Sequence, residues 1–173
     1  MSGRTARSLR LLCILAHPDD EPLGVGRILA KYAAEGVATY LVTATRGEKG
    51  WFGPPEENPG PTELGKIREG ELKEAAKVLG LREVNLLDYH DGELDKAKQG
   101  PFVQQLVGHI RRIRPHVVVT FDQNGVYGHP TISPLRALRQ PPSWPPQLRG
   151  SRSRAGWPPT RSRSSTTSHG RTK

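Results

Sequence analysis

Four short apolar runs, separated by stretches with helical spacing, restrict this chain to a small set of folds. Leu9 to Ala16, Val37 to Thr45, Val84 to Asp88 and Val117 to Phe121 are rich in branched apolar residues and too short for helices. Continuous apolar character, rather than alternation, is expected of strands buried on both faces. Pro22 to Glu35 carries Leu23, Ile28, Leu29 and Tyr32 at helical spacing and stops at Gly36. Glu63 to Leu79 is amphipathic and closes at Gly80, and Phe102 to Ile113 is a third such stretch. Arg46 to Thr62, rich in Gly and Pro, reads as a loop near the site. Strand and helix in this alternation predict an α/β fold, a Rossmann-like parallel sheet with crossover helices. The alternation stops after the fourth strand, so the sheet is expected to be incomplete, in a domain spanning 9–135.

Composition changes where the alternation ends. Residues 1–130 hold 17 Lys plus Arg and 17 Asp plus Glu, whereas 131–173 hold nine basic residues and no acidic one. The formal charge of +9 therefore belongs to the tail, and the front of the chain has no polycationic surface by composition. From 141 to 173 only Trp144, Leu148 and Trp157 are large and apolar, too few to offset the entropy of ordering, so a disordered basic tail is expected. Segments such as "TRSRSS" attract phosphate backbones without base-stacking aromatics, so no specific nucleic-acid partner is expected. The single cysteine, Cys13, excludes an internal disulfide and reads as a buried thiol. No segment approaches the roughly 20 apolar residues of a membrane span. The first apolar stretch is short, contains Arg10 and runs into a polar cluster, which favours a buried strand over a signal peptide and a cytoplasmic protein.

Chemistry concentrates in two clusters. "HPDDE" packs His17, Asp19, Asp20 and Glu21 at the end of the first strand. Imidazole and carboxylate are zinc ligands, and a catalytic zinc takes three of them plus a water. Pro18 turns the chain, which could aim His17 and Asp20 at one point and leave Asp19 facing the open position as a base. Acidic residues ahead of a helix also suit its positive end, so that cluster alone has a purely structural reading. "NGVYGHP", after the fourth strand, supplies Tyr127 and His129, which can stabilise an oxyanion and protonate a leaving amine. In a parallel sheet both clusters fall beyond the carboxyl ends of the strands, where such folds place their sites.

Residues from about Leu11 to Pro130 resemble the LmbE-like or PIG-L deacetylases. "AHPDDEPLGVG", "VTATRGEKG", "KIREGELKEAAKVLG", "LLDYHDGEL" and "RPHVVVTFDQNGVYGHP" occur in that family's order. The resemblance implies a zinc-dependent hydrolase that removes an N-acetyl group from an N-acetylglucosamine-type substrate by attack of zinc-bound water. It implies His17 and Asp20 as zinc ligands, Asp19 as general base, and His129 with Tyr127 acting on the oxyanion and leaving group. Arg68 and Asp91 match substrate contacts. On the residues alone, Arg68 could equally pair with Glu69 or Glu71 on its helix, and Asp91-Gly92 could be a turn.

The chain departs from the family at one decisive position. The family's second motif is "HPDH", whose last His is the third zinc ligand, and here the chain reads "HPTI". Ile132 cannot coordinate zinc, so the metal is expected to be weakly held and activity impaired. Restoring one G before the Thr131 codon converts Thr-Ile to Asp-His when that codon is ACC, so a single lost base would account for both the motif and the acid-free tail; resequencing around Pro130 tests this. An alternative reading is a non-catalytic α/β domain whose basic tail binds RNA or anionic surfaces. A dinucleotide site is disfavoured because Gly24 and Gly26 fall inside the first helical pattern, not in a turn directly after a strand. An uncovered sheet edge makes self-association expected.

Overall fold

The computed structural model describes residues 8–121. Its elements are β1 (Arg10–Leu15), α1 (Gly26–Ala34), β2 (Ala38–Thr45), α2 (Pro61–Val78), β3 (Glu83–Tyr89), α3 (Gln99–Ile113) and β4 (Val117–Thr120). Tyr127, His129, Ile132, the 135 boundary and the tail at 141–173 lie outside the described residues. The four strands form one parallel sheet in the order β3-β2-β1-β4. The chain steps outward from β1 to β3 and then returns to the opposite side of β1. Strand order therefore reverses between β1 and β4, and the crevice at their carboxyl ends is where ligands bind in such sheets. Ile14 stands opposite Thr120, so the two strands end nearly level.

Both faces of the sheet are covered, which is why the strands read as continuous apolar runs. On one face Leu12, Ile14, Tyr40 and Val42 pack with Phe102, Leu106, Ile110 and Ile113 of α3. On the other, Leu11, Cys13, Leu15 and Leu41 pack with Leu29 of α1 and Leu72 of α2. Each such side chain contributes about 1.5–3 kcal/mol when fully buried. Gly36 and Gly80, at φ +81° and +70°, close α1 and α2 in the left-handed region that glycine enters without strain.

The first helix departs from the expectation over Pro22 to Glu35. A π-helical turn, Glu21–Val25, precedes α1, and its wider winding shifts the helical phase. Of the four apolar residues read as core-facing, Leu29 is fully buried, whereas Leu23 is 85% exposed. Ile28 and Tyr32 are partly exposed and line a groove with Val117 beside the start of β4.

Candidate active site

The site grows from the turn after β1. Asp20 does not cap the following helix. Its Oδ2 instead accepts the backbone N–H groups of Ala16 and His17, at 3.0 and 2.8 Å, and so folds the turn back on the strand end. Asp19 takes φ +114°, a conformation that costs a non-glycine residue of order 1–3 kcal/mol. Two contacts offset that strain locally. The Asp19 N–H donates to Glu21 Oε2 at 3.1 Å, and its carbonyl accepts Leu23 N–H at 3.1 Å. Glu21 is buried, and that burial pushes its carboxyl above the usual range. The acidic run is thus a folded turn rather than a charged helix end.

Arg68 fixes the Asp19 side chain. It lies on the buried face of α2, between Leu64 and Leu72, and is itself buried. Its guanidinium donates to Gly47 O at 2.9 Å, to Pro18 O at 2.6 Å and to the Asp19 carboxylate. The alternative partners on its own helix are not used: Glu69 pairs with Arg46 and Lys73. The loop after β2 is shaped around this guanidinium. A Cβ at Gly47 would stand 2.6 Å from Arg68 Nη1, and one at Gly50 only 2.3 Å. "TRGEKG" therefore has a steric function that its glycine spacing hints at. Thr45 ties the loop down, donating from Oγ1 to Ala16 O and accepting Gly47 N–H.

Asp91, from the turn after β3, reaches the other side of His17. Its Oδ1 lies 3.1 Å from His17 Nε2, and its Oδ2 accepts Lys49 N–H at 3.2 Å. Glu48 completes the tie, with Oε1 accepting Asp91 N–H at 2.9 Å. Gly92, at φ +70°, makes this segment a turn as well as a site element. Burial alone would lower the His17 pKa, but Asp20 and Asp91 outweigh it and raise the imidazole to about 9. Burial works against ionisation of Asp91 too; His17 overcomes it and holds that carboxyl below its ordinary value. Gly47, Glu48 and Gly50 also touch this arrangement, and motif matching alone does not assign them a place in it.

His17, Asp19, Asp20, Arg68 and Asp91 all line one polar cavity of about 360 Å³. All five expected site residues that fall within the described chain are therefore brought together. Zinc binds imidazole and carboxylate at about 2.0–2.2 Å, which puts two ligands of one ion roughly 3.4 Å apart. His17 Nδ1 and the Asp20 carboxylate, at 3.6 Å, suit a shared ion. Among the described residues no group of three His, Cys, Asp or Glu side chains is arranged to hold a metal. These two supply at most part of a ligand set. No helix among the described residues is long and apolar enough to cross a membrane.

Comparisons with known proteins identify the family and the fold. A family model described as GlcNAc-PI de-N-acetylase, PIG-L, matches residues 12–131. The 1D-myo-inositol 2-acetamido-2-deoxy-alpha-D-glucopyranoside deacetylase of Streptomyces avermitilis is 40% identical over 141 residues, covering 70% of this chain and 48% of that enzyme. The enzyme of the same name from Thermobispora bispora is 37% identical over 146 residues, covering 70% of this chain and 47% of its own. The chain thus spans about half the length of these relatives. Among solved structures, N,N'-diacetylchitobiose deacetylase from Pyrococcus horikoshii aligns with a TM-score of 0.65 and 29% identity, over 76% of this chain and 48% of that one. A conserved protein from Thermus thermophilus aligns with a TM-score of 0.57 and 35% identity, over 75% and 54%. Since the matched span takes in well over half of the chain, this chain belongs to the PIG-L family of GlcNAc-PI de-N-acetylases.

Proposed function

We propose that this chain carries the site of a zinc-dependent hydrolase that removes an N-acetyl group from an N-acetylglucosamine-type conjugate. The observation that carries the reading is the Asp19 turn. A carboxylate is held in a strained backbone conformation, clamped by a buried arginine, beside a paired imidazole and carboxylate in a polar cavity. Strain of this kind persists where the surrounding structure over-determines it, as in active sites. The names of the similar enzymes, deacetylases of an acetamido-sugar conjugate, support the substrate class.

His17 and Asp20 would hold the metal, which when bound polarises the acetyl carbonyl and lowers the pKa of water. Asp19 takes a proton from the attacking water as its oxygen bonds to the carbonyl carbon. Arg68 keeps the Asp19 carboxylate pointed at that water, and Asp91 holds the His17 ring while facing the cavity where it can accept a sugar hydroxyl. His129 and Tyr127 stabilise the oxyanion and return a proton to nitrogen as the C–N bond breaks, releasing acetate and a free amine. With isoleucine at 132 the ligand set is short by one, so the chain as it stands is impaired.

Zinc content tests this directly. The chain carrying Thr131→Asp and Ile132→His should retain zinc through gel filtration far better than the parent. In that background Asp19→Asn keeps the metal and loses on the order of 10²–10⁴-fold in rate. His17→Ala loses both. Equal zinc content in parent and double variant, or activity of the Asp19→Asn form within a few-fold of its parent, refutes the reading.

A further inference from the structure

Asp19 lines two cavities that differ in character, the second being the more apolar. The first, with His17, Asp20, Lys49 and Asp91 in its wall, offers charged groups on most sides. The second, also about 360 Å³, is lined by Trp51, Phe52, Leu64 and Ile67, with Glu71 at its margin. The two share Asp19, Gly50, Phe52 and Arg68. Phe52 is 90% exposed and Ile67 43%, although both sit beside the carboxylate assigned as base. Trp51 is held in place: its Nε1–H donates to Pro54 O at 2.9 Å, and its ring packs so closely on Gly53 that a Cβ there would meet it at 2.5 Å.

An amide has two sides, and cleavage at Asp19 sends them in different directions. The amine side of a sugar substrate carries hydroxyls, which suit the polar cavity. The acyl side is hydrocarbon, and the second cavity far exceeds the volume of one methyl group. We infer that the Trp51–Phe52–Ile67 cavity is an acyl-binding subsite, and that this site accepts N-acyl groups longer than acetyl on an amino sugar. The inference rests on the hydrolase reading for the position of the amide, and it adds the identity of the acyl class. The reaction is unchanged in form: water adds across the amide, and a longer carboxylate leaves in place of acetate.

The test is a binding measurement and needs no turnover. Four amides are titrated into the full-length chain by NMR: N-acetyl- and N-hexanoylglucosamine, and the N-acetyl and N-hexanoyl amides of methylamine. Lengthening the acyl chain should tighten binding about tenfold or more, since each buried methylene contributes and the cavity takes at least two. Phe52→Ala removes no core packing, and it should erase most of that gain; Ile67→Ser, on α2 rather than on the loop, should reduce it independently. A chain-length effect without a sugar effect keeps the acyl subsite and removes the amino-sugar reading. Lack of any chain-length effect, or an effect untouched by both substitutions, overturns the subsite.

Discussion

Replacing Gly50 with alanine should evict Arg68 and loosen the whole site. Gly50 does not occupy the left-handed region, so alanine brings no backbone strain there. The cost is steric: the new Cβ would stand 2.3 Å from Arg68 Nη1, well inside contact distance. The guanidinium is the group that must move, and moving it breaks its bonds to Gly47 O, Pro18 O and the Asp19 carboxylate. Breaking a fully buried charged network by one partner costs about 3–5 kcal/mol, and less here because the Asp19 carboxylate is 40% exposed. Part of that returns because the displaced guanidinium reaches water through the adjoining cavities. Alanine also restricts the unfolded chain, worth about 0.4–1 kcal/mol in the opposite direction. A net loss of roughly 2 kcal/mol remains, or on the order of 5–10 °C in Tm for a domain of this size.

Thermal and denaturant unfolding followed by circular dichroism measure this. Gly70→Ala serves as the control, since nothing lies within 4 Å of a Cβ at that position in α2. It should stabilise by about 0.5–1 kcal/mol, the ordinary gain of alanine over glycine inside a helix. The decisive measurement is the double-mutant cycle. In an Arg68→Met background the guanidinium is gone, and Gly50→Ala should cost almost nothing. A Gly50→Ala variant within about 0.5 kcal/mol of the parent would falsify the argument, as would a cost that persists without Arg68.

Two further outcomes follow from burial and charge. The His17 pKa is raised to about 9, so its pairing stabilises the fold fully below the unfolded value near 6.5 and is lost as pH rises through 9. In the presence of chelator, denaturant midpoints should fall between pH 6.5 and 9.5 by an amount equivalent to about 3 kcal/mol at most, and Asp91→Asn should flatten the profile; a flat parent profile refutes the pairing. Cys13 is fully buried in β1, and burial pushes its thiol up to about 12, so iodoacetamide should leave it untouched in native buffer and label it in denaturant; native labelling at a comparable rate refutes the packing.

The strand-helix alternation of a parallel sheet was legible in the sequence because burial on two faces leaves a simple signature, whereas the spatial order β3-β2-β1-β4 was not. Leu11 to Leu15 are buried without a break, and such a run admits few readings other than a central parallel strand. Helix phase was less legible. Leu23 and Leu29 both read as apolar residues of one helical stretch, yet Leu23 lies in the π turn and faces solvent, whereas Leu29 lies in α1 and is in the core. Arg68 carried a signal that periodicity alone could have used. It sits four residues from both Leu64 and Leu72 on the buried stripe of α2, where an unpaired charge would be costly. A charge at such a position requires a partner, and neither the motifs nor the helix spacing identified it as Asp19. What no sequence pattern expresses is that Gly47 and Gly50 leave room for a side chain 18 or more positions away.

The strand order also explains why one turn can carry so much of the chemistry. β1 is central, with β2 on one side and β4 on the other, so its carboxyl end is the one place within reach of the loops after every neighbouring strand. The β2 loop delivers Gly47, Glu48 and Gly50, and the β3 turn delivers Asp91 across a sheet irregularity between Thr43 and Thr45 that lets β3 run on to Tyr89. Bulges of this kind re-aim a strand end, and here the strand end leads directly to the carboxylate on His17. Gly47 and Gly50 of the β2 loop act on Asp19 through Arg68, whereas Asp91, tied to Glu48 and Lys49 of the same loop, acts on His17. Substitutions at Gly50 and at Asp91 should therefore separate, one disturbing the base and the other the metal ligand, although His17 and Asp19 directly flank Pro18.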